Sequence, residues 1–287
     1  MINQFSKISA IYYGLLQSGY DFYTYGRSTD HIKKLQAHCK PNRSSAFFSK
    51  TRQNTCDVYP YWPRAFIMET ATFFLNDRIS DFQDFRVFRQ KIMSASNISE
   101  KERNDSLWNW LADFPQELDS VLSDDSFSEY LEWEGKWISE QKAIYRDELH
   151  MIQNCLETCA DQYHSPVQRI QICINPIKCV YSSDYHLLGD CFVFSSGIMR
   201  ADSIIHEFLH HVVHPFVEQQ KTLVLEYKPI NHQIDQSYYL SDFNAGLINA
   251  FEETVVRSLT EEIMNGKYPK SILAYIEYSL AQMQSGK

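Results

Sequence analysis

The chain has 287 residues, 44% hydrophobic and 22% charged, a balance that excludes wholesale disorder and supplies the apolar material for a sizeable core. Its net charge is −9, from 27 basic and 36 acidic side chains, which argues against nucleic acid as a partner gripped through its phosphates. Gly and Pro number only 9 each, too few for the many tight turns of a sandwich or barrel, so long helices are expected.

The stretch Met1-Ile2-Asn3-Gln4-Phe5-Ser6-Lys7 lacks the basic, apolar and small-residue regions of a secretion signal. No apolar run approaches the roughly 18 residues that a membrane-spanning helix needs. The expected location is therefore the cytoplasm, with no membrane partner. The cysteines (Cys39, Cys56, Cys155, Cys159, Cys173, Cys179 and Cys191) are odd in number, and reduced thiols are expected of them.

In chain order, apolar residues at helical spacing predict a first helix from Ser6 to about Phe22 and a second over Asp30 to Cys39. Residues 40–63 are polar, carry prolines and read as loop. Arg64 to Asn76 is apolar almost all round, as a buried helix is. Phe82 to Met93 repeats the helical spacing. Ser99 and Glu102 have the spacing of a capping box, opening a helix to about Phe114. A long helix, interleaved with charge, is predicted over Phe127 to Tyr163.

The pattern then changes. Arg169 to Ile174 alternates polar and apolar residues, as a half-buried strand does. Asn175-Pro176 reads as a turn and Ile177 to Tyr181 as a neighbouring strand. Cys191 to Ser196 reads as a further strand between Gly189 and Gly197. Helices resume over 202–214, 242–265 and 270–284. The fold class expected is α+β, mostly helical with a small sheet. An N-terminal helical region over 1–125 would precede a core over 126–287.

The chemistry is carried by His206-Glu207-Phe208-Leu209-His210. On a helix, residues four apart stand one turn above each other on one face, so His206 and His210 can offer two ring nitrogens to one ion. Glu207 stands beside such an ion and is placed to take a proton from a water molecule as general base. Ile204, Ile205, Phe208, Leu209, Val212 and Val213 make the segment a buried helix, with Asp202 or Ser203 as its cap. Two histidines and a glutamate in such a helix need partners, and one Zn2+ per chain supplies them together.

His214 continues the row, but eight residues at a rise of about 1.5 Å set it roughly 12 Å from His206, too far to share an ion. It is expected to satisfy the helix end before Pro215 stops the helix. His211 is expected at the surface or behind the site. A third ligand must come from later in the chain. Glu253 has Arg257 one turn on to orient it, and Glu252 lies on an apolar face; Asp235 and Asp242 are the other carboxylates available. Cys155 and Cys159 read as two buried thiols on one helix face.

The motif, with a downstream helix that carries Glu, resembles the gluzincin branch of the zincin metalloproteases. More narrowly, His-Glu-Phe-x-His followed by Pro215, then Glu253-x-x-Val256-Arg257, is similar to a bacterial family of zincin-like domains. That family's pattern is His-Glu-Phe-x-His-x-x-x-Asn-Pro and later Asn-Glu-x-x-Val-Arg-Ala. This chain departs from it at His214, Glu252 and Ser258. The resemblance spans residues 200 to 260. It implies a zincin-like core, His206, His210 and Glu253 as zinc ligands, and hydrolysis of a peptide or protein substrate. His232, Tyr238 and Tyr239 are candidates to steady the oxyanion. Two alternatives stand beside this reading: a zinc-binding scaffold without activity, and a zinc hydrolase of other substrates. Substrate is expected to lie along 191–196 as an added strand, and Glu252→Ala is expected to matter little to the metal.

Overall fold

The computed structural model describes residues 1–39, 45–51, 65–75, 105–226 and 243–284. The helix expected over Phe82 to Met93, the Ser99–Glu102 box and most of the 40–63 loop lie outside them. The chain forms two compact units, Met1–Arg146 with Ile170–Met199, and Asp147–Arg169 with Arg200–Lys287. The units thus part at 146/147, 169/170 and 199/200, where the sequence reading divides the chain at 125/126. The architecture is α+β, mostly helical with one small sheet. No helix among the described residues is long and apolar enough to cross a membrane, and none of the six described cysteines forms a disulfide.

Unit one is built around α1 (Ser6–Gln17), whose residues Ile8 to Leu15 are all buried. The helix ends earlier than its periodicity suggests. Gly19 takes φ +92°, and the N–H groups of Gly19 and Tyr20 donate to Leu16 O and Leu15 O at 3.1 and 3.2 Å, the paired bonds of a Schellman stop. Then come α2 (Thr29–His38), α3 (Ala46–Ser49), α4 (Phe66–Thr72), α5 (Asp105–Leu111), α6 (Phe114–Leu122) and α7 (Asp125–Ile144). Helix α3 falls inside the expected loop; Ser45 caps it by accepting from the N–H of Phe47 and Phe48. The core joins Ile8, Ile11 and Tyr13 to Phe48, Trp108, Leu111, Phe114, Phe127 and Tyr130. Each such side chain contributes roughly 1.5–3 kcal/mol by leaving water.

The predicted helix 127–163 is two helices, α7 and α8 (Arg146–Gln162), broken at Tyr145. No Gly or Pro marks the break. Asp147 and Glu148 in the first turn of α8 are the local signal, since acidic side chains favour a helix start.

The sheet has the order β1-β3-β2, with β1 Arg169–Ile174, β2 Ser183–Leu188 and β3 Cys191–Ser196. β2 and β3 are an antiparallel hairpin pairing Ser183 with Ser196 and Leu188 with Cys191. Two expectations fail here. The second strand is 183–188, and residues 177–181 are a loop, buried at Ile177, Lys178 and Cys179. Its polar groups are met from outside any ladder: Asn175 Oδ1 accepts from the N–H of Ile177 and Lys178 at 2.8 and 3.0 Å. Arg27 Nη2 donates to the carbonyls of Asn175, Lys178 and Gly197 at 3.1, 2.9 and 2.6 Å. A loop satisfied in this way can be as apolar as a strand and still not be one. The other failure concerns β3. It is the central strand, paired on both sides and buried throughout, so no substrate can extend the sheet along 191–196.

Unit two consists of α8, α9 (Ala201–Gln219), α10 (Lys221–Glu226), α11 (Phe243–Met264) and α12 (Ile272–Gln284). Helix α9 packs chiefly against α11. Ile204, Ile205, Phe208, Leu209 and Val213 on α9, with Phe251, Val255, Val256 and Leu259 on α11, are all at most 1% exposed. Helix α9 does not stop at Pro215 but runs on to Gln219. Proline removes one backbone donor, while Val217 in the next turn is wholly buried, and that burial holds the turn in place. Nor does Asp202 or Ser203 cap the helix; the N-cap residue is Arg200, without a side-chain cap.

Candidate metal centre

The α9 apolar face fixes the orientation of what remains. With residues 204, 205, 208, 209, 212 and 213 turned into the core of unit two, His206 and His210 fall together along the flank that meets α11. Their Nε2 atoms lie 3.1 Å apart. From α11, Glu253 Oε2 stands 3.5 Å from His206 Nε2 and 3.2 Å from His210 Nε2.

These separations bear on whether a metal fits. Ligands about 2.0–2.1 Å from one zinc ion, at tetrahedral angles, are roughly 3.3–3.4 Å from each other. The sides of the triangle here are 3.1, 3.2 and 3.5 Å. The donors are the types zinc prefers, two imidazoles and a carboxylate. Among the described residues they form the one group of His, Cys, Asp and Glu atoms close enough to hold an ion together. Their side chains are 17–19% exposed, so the site is open to solvent on one side.

The neighbouring carboxylate holds the back of the site. Glu252 Oε1 accepts from His210 Nδ1 at 2.8 Å, and Oε2 from His214 Nδ1 at 2.7 Å. Glu252 is 6% exposed at its side chain. Anchoring Nδ1 turns Nε2 of His210 outward, towards Glu253 and His206. His214 therefore does not finish the helix, as expected of it, but is the second group on Glu252. Arg257 Nε donates to Glu253 Oε1 at 2.6 Å, leaving Oε2 for the histidines. His211 lies elsewhere, with Nε2 3.0 Å from Ser165 Oγ.

The electrostatics follow from this crowding of carboxylates. Burial works against a charge on His210, but hydrogen bonds to Glu252 and Glu253 and the charge of Glu207 outweigh it and raise its pKa to about 10. Burial likewise opposes ionisation of Glu253, yet His206 and His210 hold its carboxyl well below the usual range. Glu252 is lowered by His210 and His214 against its own burial. Glu207, Glu252 and Glu253 together make this a place that favours positive charge, supplied by protons or by a cation.

The structure thus brings together His206, His210, Glu253 and Arg257, with Glu207 within electrostatic reach of His210. His232, Tyr238, Tyr239, Asp235 and Asp242 lie outside the described residues. Sequence reasoning missed the double role of Glu252. The signal available was its apolar face, which marked it as buried and so in need of partners. No family model, curated protein or solved structure matches the chain.

Proposed function

We propose that this chain is a zinc-dependent peptidase of gluzincin type, with its site in unit two. The observation that carries the reading is the triangle of His206 Nε2, His210 Nε2 and Glu253 Oε2, whose sides match the edges of a zinc coordination tetrahedron. Glu207, one residue from His206, supports the hydrolytic part of the reading.

His206, His210 and Glu253 would hold the ion, which when bound supplies Lewis acidity and lowers the pKa of water towards about 7. The chain's own groups divide the remaining work. Glu207 takes the proton of the attacking water and returns it to the leaving amine. Glu252 fixes the His210 ring by its Nδ1 atom, so that the other nitrogen faces the site. Arg257 steers Glu253 by binding one carboxylate oxygen. His232, Tyr238 and Tyr239 are the residues to substitute in searching for the donor to the oxyanion.

The test is metal analysis of the purified chain followed by a peptide-library assay. About one zinc per chain is expected, lost in His206→Ala and in His210→Ala. Full zinc in both variants would remove the basis of the reading.

A further inference from the structure

Cys155 and Cys159 have no part in the proposed chemistry. Helix α8 buries one face in unit two through Leu149, Ile152, Leu156 and Ala160, and the two cysteines lie on it one turn apart, 5% and 0% exposed. Cβ atoms at that spacing stand about 5–6 Å from each other. A disulfide needs them within about 3.5–4.5 Å, so an intact helix keeps the pair as two separate thiols. Neither is cross-linked.

The connection between α11 and α12 folds onto this pair. Gly266, at φ +73°, stops α11: its N–H donates to Ile263 O and that of Lys267 to Glu262 O, both at 2.9 Å. The chain then meets the end of α8, where Gln162 Nε2 donates to Pro269 O at 2.5 Å. Between these two fixed points, Tyr268 donates its hydroxyl proton to Cys155 Sγ at 3.3 Å. Tyr163 follows Cys159 by one turn, its N–H donating to Cys159 O at 3.0 Å. Its hydroxyl oxygen is buried and has no hydrogen-bond partner among the described residues. Of the charged groups that act on that hydroxyl, Cys159 acts most strongly. A thiolate accepts hydrogen bonds, so one phenol already serves the first sulfur and a second is spare near the other.

The sulfurs also lose protons unequally. A hydrogen bond with the Cys159 thiol, opposed by burial and helped by Tyr268, lowers the Cys155 pKa to about 7. The same bond, with burial, pushes Cys159 up. Cys155 is thus the sulfur that a cation meets first.

The number of donors selects the cation. The only set of three His, Cys, Asp or Glu donors among the described residues is the one between α9 and α11, so this pair has no third protein ligand of those types. Zinc takes three or four. Two thiolates alone suit a soft ion that accepts two ligands, and sulfur donors favour Cu+. Two metal–sulfur bonds in a line, at roughly the 2.3 Å of a zinc thiolate, span about 4.6 Å, which side chains one helical turn apart can bridge. We propose that Cys155 and Cys159 form a second metal site, a two-coordinate Cu+ site, with Tyr268 and Tyr163 donating hydrogen bonds to its sulfurs. Both cysteines bind as thiolates, their protons pass to water, and the two phenol O–H groups offset the one negative charge left on the dithiolate–Cu+ unit. The site is independent of the zinc reading.

The test titrates the reduced full chain, under argon, with Cu+ held by a chromophoric chelator. It is run on His206→Ala, so that the histidine centre is disarmed. One Cu+ per chain is expected to leave the chelator. Cys155→Ala and Cys159→Ala, added singly, keep the helix, since Ala is its best former. Each should weaken binding by more than the about 10–100-fold that loss of a supporting partner costs, and Tyr268→Phe should fall within that range. No uptake, or affinity unchanged in both cysteine variants, would overturn the proposal. A second measurement leaves the cysteines intact. X-ray absorption at the copper edge should show two sulfur neighbours and no nitrogen; a third sulfur, or any nitrogen, would refute the two-coordinate site.

Discussion

Glu252 and Glu253 are neighbours in the chain, yet their carboxylates serve opposite nitrogens of the same ring: Glu252 Oε1 is 2.8 Å from His210 Nδ1, and Glu253 Oε2 is 3.2 Å from His210 Nε2. Adjacent residues on a helix point about 100° apart, so the pair brackets the imidazole as it leans in from α9. The ring is held from both sides by one turn of α11.

From this bracket, Glu252→Ala should weaken zinc binding about 10–100-fold, in line with other carboxylates that orient a ligating histidine. That reverses the expectation from sequence that Glu252→Ala matters little to the metal. Competition against a chromophoric chelator measures the change. Wild-type affinity in the variant would mean that the Nδ1 contact does not position the ring.

Glu253→Ala should cost more than Glu252→Ala, because it removes a donor atom and not a support. Arg257→Ala should cost least: its side chain is 66% exposed, so water can replace it on Glu253 Oε1. The order Glu253, Glu252, Arg257 in the same chelator assay is the prediction, and Arg257→Ala as the most damaging of the three would refute it.

The metal-free and metal-bound forms should respond to pH in opposite directions. His210 is raised from 6.5 to about 10, so its contribution to the stability of metal-free unit two is complete below about 6.5 and is lost as pH rises towards 10. Glu253 is lowered from 4.5, so its contribution is present above about 4.5 and is lost as pH falls. With chelator present, unit two should therefore be most stable between about pH 4.5 and 6.5. With zinc the trend reverses above that window, since the ion displaces the proton of His210 and binds up to about tenfold tighter per pH unit. Thermal unfolding with and without chelator gives both curves. Parallel curves would show that no proton is exchanged for the ion.

Glu207→Gln should keep the fold and the zinc but lose hydrolysis, because an amide of the same shape cannot take a proton. Zinc content and turnover are measured on the same sample, and undiminished turnover would exclude Glu207 as the base.

Gly197→Ala should destabilise unit one. A Cβ there would lie 2.2 Å from Lys178 O and 2.6 Å from Cys179 O, backbone atoms of the buried loop that cannot swing aside. The cost expected is about 1–3 kcal/mol or more. Gly189→Ala meets no atom within 4 Å and pays only for φ +63°, roughly 1–2 kcal/mol. Chemical unfolding of both variants compares a steric penalty with a conformational one, and a greater loss in Gly189→Ala would reverse the argument.

The sequence by itself determined the features that depend on neighbours along the chain. Helical patterning marked α1, α2, α9, α11 and α12, an all-round apolar stretch marked α4, alternation marked β1, and a run bounded by Gly189 and Gly197 marked β3. The spacing of His206 and His210 placed them on one face before any fold was known. Where a signal is not local, the sequence was silent or misleading. Residues 177–181 read as a strand but are a loop, whose Lys178 carbonyl is satisfied by the distant Arg27 and whose Ile177 and Lys178 N–H groups are satisfied by Asn175. The run through Pro215 was settled by the burial of Val217 in the turn that follows. Only the packing of α9 on α11 turned Glu252 to one nitrogen of His210 and Glu253 to the other. Both are glutamates on one helix, and what separates their roles is the direction from which a distant ring approaches them.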